Sequence, residues 1–182
     1  MLTTIIVLII LFLSAQVFPV AIGIDVKGKW LKATLFVIVL SSIQLLTYWL
    51  GLRLGGTFMY LMDSFKSVVF LFGFLLIGIR MLMETLAIRK GERTYQINTI
   101  GSVVFASIAQ GMNTFLAGLL FCYLNVGEQF TMITILVLSI IIASVGVFLK
   151  PEKLTLAFAS LLYTIGGILM IISSIYISFF IF

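Results

Sequence analysis

Hydrophobic residues form six long runs in this chain, and polar residues gather in the short stretches between them. The runs lie near Leu2–Ile22, Ala33–Leu52, Ser67–Ala87, Thr99–Tyr123, Thr131–Leu149 and Leu154–Phe180. A helix needs about 20 mostly apolar residues to cross the hydrocarbon core of a bilayer. The pattern therefore predicts an all-α polytopic membrane protein with six transmembrane helices.

The composition narrows the class further. Of the 182 residues, 63% are hydrophobic and 9% are charged, whereas an average soluble domain has about 25% charged residues. Mean hydropathy is +1.32. The net charge of +5 does not indicate nucleic-acid binding, because lysine and arginine lie in the short loops. The sequence shows no phosphate-binding loop, nucleophile–base set or metal-ligand spacing, so we expect neither an enzyme nor a cofactor.

Basic residues are distributed unevenly between the loops. Loop 2 contains Arg53 and Lys66 and loop 4 contains none, whereas loops 1, 3 and 5 contain eight. These eight are Lys27, Lys29, Lys32, Arg89, Lys90, Arg93, Lys150 and Lys153. The positive-inside rule places loops 1, 3 and 5 in the cytoplasm and both termini outside.

The most polar loop divides the chain into two halves. We predict a first three-helix repeat at 1–90, a cytoplasmic linker at 91–98 and a second three-helix repeat at 99–182. Halves with three helices each must insert in opposite orientations, as in many secondary transporters whose site lies between inverted repeats. Similarity between the halves is limited, and two unrelated halves also fit it.

Polar side chains lie at mid-membrane depth in the fourth run. Ser107, Gln110, Asn113 and Thr114 are four hydrogen-bonding residues within eight positions. Interhelical hydrogen bonding explains one or two such residues, and the larger number favours a cavity. Gln16 lies 97 residues before Asn113, so we expect the first and fourth helices to face each other.

Two further helices carry candidate site residues. Pro19 cannot donate to the carbonyl of Ala15, so it predicts a kink in the first helix. The kink either offers this carbonyl and the Gln16 amide to a ligand or is satisfied by a neighbouring hydroxyl. In the second helix, Ser41 and Gln44 lie on a face of small and polar residues typical of close packing. Gln44 is long enough to bond another helix or to reach a cavity.

The third helix contains the only charges well inside an apolar run. Arg80 and Glu84 are four residues apart and share one helix face. Ionisable residues inside a membrane are functional candidates, although Arg80 can also pair with Glu84 or extend toward the headgroups. A structural pair at the cytoplasmic mouth and a role in transport both fit.

Two motifs match a known transporter family. The run from Gly78 to Glu84 has the form G-x-R-M-x-x-E, and Ser14, Phe18, Ile22 and Gly23 fit a first-helix motif S-x-acid-x-F-x-x-x-I-G. In these motifs and in its layout, nearly the whole chain resembles the small MntP-type manganese efflux pumps of bacteria. The resemblance implies six helices in two inverted halves, the bacterial cytoplasmic (inner) membrane, and Mn²⁺ as transported substrate.

The chain departs from the family pattern where the metal would bind. The resemblance implies carboxylates at three positions that hold Gln16, Gln44 and Asn113 here, and a small residue in place of Pro19. Glu84 is the one family acid retained in a helix. Manganese prefers carboxylate oxygen, whereas amides neither carry charge nor titrate. Since the amides match the replaced acids in length, we predict a site whose shape is kept and whose charge is lost.

Three functions remain open from the sequence. By family resemblance the chain is a manganese efflux transporter, which would use Glu84 and carbonyls freed at Pro19. The alternatives are a transporter for a neutral or weakly charged solute and a non-transporting membrane subunit. Either transporter predicts a polar cavity open to one side, whereas the subunit predicts tightly paired amides. The candidate substrate-binding residues are Gln16, Gln44, Asn113, Ser41, Gln110 and Thr114.

Overall fold

The computed structural model describes residues 2–24, 30–90, 99–124 and 126–182, most of which lie in helices. The α-helices of this part are α1 (Leu2–Ser14), α2 (Val17–Ile22), α3 (Trp30–Phe58), α4 (Lys66–Arg89), α5 (Ile100–Phe121), α6 (Glu128–Phe148) and α7 (Lys153–Phe180). Short 3₁₀-helices follow α3 and α5, at Met59–Phe65 and Cys122–Leu124. The all-α prediction is confirmed. The predicted linker 91–98 and the basic residues Lys27, Lys29 and Arg93 lie outside the described residues.

Within the described ranges, five helical stretches are long and apolar enough to cross a membrane. They are Leu2–Ile22, Trp30–Arg89, Ile100–Leu124, Glu128–Phe148 and Lys153–Phe180. Their outward surfaces carry large apolar side chains, among them Ile38, Phe72, Phe105, Ile141 and Ile172. Such surfaces suit lipid rather than water, so the structure agrees with a multi-pass membrane protein.

Helix α3 runs parallel to α5. Gly51 lies against the backbone of Phe115, and one turn later Gly55 lies against the backbone of Leu119. A Cβ atom at either glycine would collide with a backbone carbonyl oxygen. The two helices therefore approach as closely as small residues permit, as in other membrane helix pairs.

Helix α4 runs antiparallel to α5. Gly73 lies against Leu120 near one end of the pair, and Arg80 Nη2 donates to the Ala109 carbonyl at 3.3 Å further along it. Because α3 is parallel to α5, the stretch Trp30–Arg89 reverses its direction between α3 and α4. The reversal includes Met62, whose φ of −109° and ψ of 15° are not helical.

Helices α4 and α7 are antiparallel, and their backbones are in direct contact. A Cβ atom on Gly78 would lie 2.7 Å from the carbonyl oxygen of Gly167, and one on Gly167 would lie 2.9 Å from the carbonyl oxygen of Gly78. The contact is therefore reciprocal. Ser67 Oγ adds a hydrogen bond of 2.6 Å to the Ser178 carbonyl near the end of the pair.

Helix α6 packs between α3 and the first helix. It is antiparallel to α3, because the rings of Trp30 and Phe148 are 5.2 Å apart at one end and Arg53 pairs with Glu128 at 3.0 Å at the other. Together with α5, these helices enclose the middle of the bundle, where the polar residues of the first, second and fourth runs meet.

Candidate functional site: the polar cluster at a helix break

The first helix is interrupted next to Gln16. The backbone N–H of Gln16 donates to the Leu13 carbonyl at 3.3 Å, and the backbone N–H of Phe18 donates to the Ala15 carbonyl at 3.1 Å. Both bonds span three residues, as in a 3₁₀ turn, instead of the four of an α-helix. The break lies one turn before Pro19, whose missing N–H and ring prevent a regular helix there. The Ala15 carbonyl, to which Pro19 cannot donate, therefore has a donor within the first helix.

Side chains from other helices supply hydrogen bonds to backbone carbonyls at the break. The Tyr163 hydroxyl on α7 donates to the Gln16 carbonyl at 3.2 Å. Gln44 Nε2 on α3 donates to the Leu13 carbonyl at 2.9 Å. The hydroxyl therefore bonds the Gln16 carbonyl, whereas the Ala15 carbonyl to which both interpretations of Pro19 refer accepts from the Phe18 backbone N–H.

The two amides that stand 97 residues apart in the sequence are directly bonded. Asn113 Nδ2 donates to Gln16 Oε1 at 3.2 Å, and Gln16 Nε2 lies 3.5 Å from the sulfur of Met81. Both amides are fully buried. Asn113 Oδ1, however, has no hydrogen-bond partner among the described residues. An amide oxygen in that position is free to accept from, or coordinate, a small ligand.

The other amides are also bonded between helices. Gln44 Nε2 donates to Thr114 Oγ1, and Gln110 Nε2 donates to the Tyr163 hydroxyl. All four residues are buried. Sequence reasoning did not find Tyr163, whose only signal was a phenol in the middle of the last apolar run.

Three serine hydroxyls extend the cluster toward α6. Ser14, Ser41 and Ser139 are buried, and none of their hydroxyls has a hydrogen-bond partner in the described part of the chain. Ser41 was a predicted site residue. Ser14 and Ser139 were not assigned to the site from the sequence, although Ser139 follows Ser41 by 98 residues.

The charged pair of α4 lies at the edge of the cluster. Arg80 Nε and Glu84 Oε1 are 3.1 Å apart, and Glu84 is buried one turn beyond Met81. Arg80 balances the charge of this carboxylate, so the pair brings no net charge to the cluster. The described residues contain no group of three or more His, Cys, Asp or Glu able to hold a metal ion.

Three cavities of the bundle lie away from the amides. One is lined by Arg53 and Glu128, one by Lys32 and Ile100, and one is an apolar groove between α1 and α7. None of the three is lined by the cluster amides. In this structure the amides are bonded to protein groups and closed from these cavities.

Similarity to known proteins does not identify this site. A comparison with protein-family models, curated proteins and solved structures found no match.

Proposed function

We propose that the chain is a secondary transporter of the bacterial cytoplasmic membrane, related to the MntP-type exporters it resembles, for a small neutral or weakly charged solute. The observation that carries this proposal is the buried amide cluster of Gln16, Gln44 and Asn113 at the break of the first helix. Transporter sites commonly lie near the bilayer midplane, where a helix is discontinuous. The amides would bind the solute in another conformation, after exchanging their present partners.

We further propose six membrane crossings, with α3 and α4 as separate ones. The opposite directions of these two helices support this count. The proposed topology places the end of the bundle with Trp30 and Phe148 in the cytoplasm, close to Lys32, Lys150 and Lys153. Both termini would then lie outside, as the distribution of basic residues indicates.

Paired contacts between the halves support an inverted repeat. Gly118 lies against Tyr48, and Gly146 lies against Ala21. Gly118 follows Ala21 by 97 residues and Gly146 follows Tyr48 by 98. A two-fold relation between the halves would convert the first contact into the second.

The contact between α4 and α7 has the same property. Gly78 also meets Ile171, and Gly167 also meets Leu82. Gly167 and Ile171 each follow their counterparts, Gly78 and Leu82, by 89 residues. The reciprocal glycine contact therefore lies where the axis of such a two-fold relation would pass.

Charge argues against a bare divalent ion as the substrate. Moving a unit charge from water into a medium of dielectric constant about 4 has an idealised cost of about 20 kcal/mol. This cost grows with the square of the charge, so it is about fourfold larger for a divalent ion of the same radius. The cluster offers amide and hydroxyl dipoles, and Arg80 already balances Glu84. A neutral or weakly charged solute avoids that cost.

A specific observation favours the non-transporting subunit as the second candidate. Gln16 is bonded to Asn113, Gln44 to Thr114, and Gln110 to Tyr163. Such pairing is what polar residues do when they hold membrane helices together. The unpartnered Asn113 Oδ1 is the feature that this alternative does not explain.

Manganese efflux from a manganese-sensitive bacterial host tests the charge argument. The native chain is compared with the triple variant Gln16→Asp, Gln44→Glu and Asn113→Asp at equal membrane expression. We expect export by the triple variant alone, since three carboxylates restore the charge that a divalent ion requires. Export by the native chain would contradict the proposed substrate class.

Thiol labelling separates the transporter from the subunit. In a Cys122→Ala background, Thr114→Cys is exposed to a membrane-impermeant thiol reagent on either side of the membrane. A transport path predicts labelling, because the cluster must open to water during the cycle. Ser174→Cys is the matched control, since Ser174 is buried in α7 and bonded to its own helix. Equal protection of both positions would favour the subunit.

A further inference from the structure

Three buried serines differ from two others of the bundle, Ser107 and Ser174. Ser178, near the end of α7, also lacks a partner among the described residues. Ser107 and Ser174 donate to carbonyls of their own helices, at 2.6 and 2.7 Å, as serines in membrane helices ordinarily do. The hydroxyls of Ser14, Ser41 and Ser139 make no such bond and have no partner in the part of the chain that the structure describes. An unbonded hydroxyl in a bilayer is costly, so three of them in one place require an explanation.

The packing of α3 against α6 brings two of the three together. The helices are antiparallel, and Trp30 meets Phe148 at one end. Ser41 lies 11 residues beyond Trp30, and Ser139 lies 9 residues before Phe148. At an equal rise per residue, the two serines lie at nearly the same height, and both are on buried faces.

The packing of α6 against the first helix brings in the third. Ala21 meets Gly146, with 2.6 Å between the Ala21 Cβ and a Cβ built on the glycine. By the proposed topology these helices run in the same direction, and Ser14 and Ser139 each lie seven residues before these contacts. Ser14 therefore lies at the height of Ser139.

A hydrogen bond between their neighbours also holds the helix positions of Ser14 and Ser41 close together. Gln44, one turn beyond Ser41, donates to the carbonyl of Leu13, the neighbour of Ser14. Two residues after Ser14, Gln16 binds Asn113, whose Oδ1 is also buried without a partner among the described residues. The four oxygens therefore lie at the height of the break, on the first helix, α3, α5 and α6.

The electrostatics of this place favour a cation of low charge. Helix α1 ends at Ser14 and the six-residue α2 begins at Val17, so the negative end of the longer dipole and the positive end of the shorter one meet at the break. Negative ends of this kind, together with carbonyls of discontinuous helices, bind alkali cations in transporters. The four oxygens are hard donors without formal charge, which suits a monovalent ion better than a divalent one.

We propose that Ser14, Ser41 and Ser139, together with Oδ1 of Asn113, form a binding site for a small monovalent cation of the sodium class. The site goes beyond the proposed solute cluster, because a cation binds here whether or not a solute is carried. The proposal shares with the proposed function the residue Asn113 and the direction of α6 relative to the first helix, but not the identity of the substrate.

Thermal unfolding of the detergent-purified chain tests the site. Tm is measured in choline chloride and in the chlorides of sodium, lithium, potassium and manganese at equal ionic strength. We expect a saturable increase in Tm of about 4 °C with sodium or lithium relative to choline, and a smaller increase with manganese. An identical Tm in choline and in every alkali chloride would overturn the proposal.

Serine variants separate binding from a general salt effect. The triple variant Ser14→Ala, Ser41→Ala, Ser139→Ala removes three oxygens but no existing hydrogen bond, so it is expected to fold and to lose the increase in Tm. Ser174→Ala is the matched control and keeps it. An undiminished increase in the triple variant would refute the site. Should that variant not fold, Ser139→Ala alone must raise the sodium concentration at half-saturation at least tenfold.

If only the cation site is wrong, Tm does not depend on the cation, but Thr114→Cys is still labelled. Protection of that cysteine together with a retained cation effect would instead identify a static cation-binding subunit. The two experiments therefore fail independently.

Discussion

The first helix and α5 meet at the centre of the bundle, yet one is broken and the other is continuous. Pro19 lies just beyond the break, and 97 residues later α5 has Leu116. Each helix contributes one fully buried amide to the centre, and these amides, Gln16 and Asn113, are bonded to each other. The difference between the helices is therefore in the backbone and not in where their polar side chains point.

The break changes which hydrogen bonds the surrounding side chains make. Tyr163 and Gln44 donate to carbonyls at the broken helix. On α5, Gln110 and Thr114 bond these same two side chains. The comparison teaches that much of the cluster compensates for an interrupted backbone. Only the oxygens without a partner are left for a ligand.

The largest effect is expected from breaking α5 in the same way. Leu116→Pro removes a helical hydrogen bond and introduces a steric clash, which costs about 3 kcal/mol or more in a helix interior. No described side chain donates to the α5 backbone carbonyl at Met112 that would lose its partner. We expect little folded protein in detergent extracts, measured by size-exclusion chromatography. A variant as stable as the native chain would show that α5 tolerates a break equally well.

Removing a donor at the broken helix should have a smaller effect. Tyr163→Phe leaves the Gln16 carbonyl without the hydroxyl that bonds it, and a lost buried bond costs about 1–3 kcal/mol. For a chain of this size we expect Tm to fall by about 3–10 °C. Tyr60→Phe, at an exposed position, is the control and should leave Tm unchanged. Equal Tm values for the two variants would show that Tyr163 does not compensate for the break.

Repairing the break should make its other donor dispensable. Pro19→Leu restores the residue type of α5 and allows α1 and α2 to join, so that the Leu13 carbonyl can exchange its 3₁₀ bond from the Gln16 N–H for an α-helical bond from the Val17 N–H. In a double-mutant cycle, Gln44→Leu should then cost about 1 kcal/mol less in the Pro19→Leu background than in the native one. Chemical denaturation in mixed micelles measures the four variants. If the two free-energy changes are strictly additive, Gln44 does not compensate for the break.

The smallest effect is expected on the α5 side of the same network. Thr114→Val keeps the shape of the side chain and removes the hydroxyl that accepts from Gln44. Gln44 retains its bond to the Leu13 carbonyl, so the loss should be about 0.5 kcal/mol. A loss as large as that of Tyr163→Phe would mean that α5 carries as much of the compensation as α7.

The sequence predicted the helical membrane architecture, because apolar runs of membrane length admit few other structures. Its register also placed Gln16 and Asn113 at related positions, and the two are bonded. Tyr163 could not be found in this way, since its partners are 53 and 147 residues away along the chain. The sequence also placed a loop between the second and third runs, where the structure has the 3₁₀-helix Met59–Phe65.

The paired glycines of α4 and α7 have a mechanical consequence. Each backbone fills the space that a side chain would need on the other, so Gly78 and Gly167 hold the two helices at a fixed separation. Parting them would lose this close backbone packing, on which the association of membrane helices depends. The contact is therefore suited to serve as a pivot, because tilting around it keeps the packing that separation would lose.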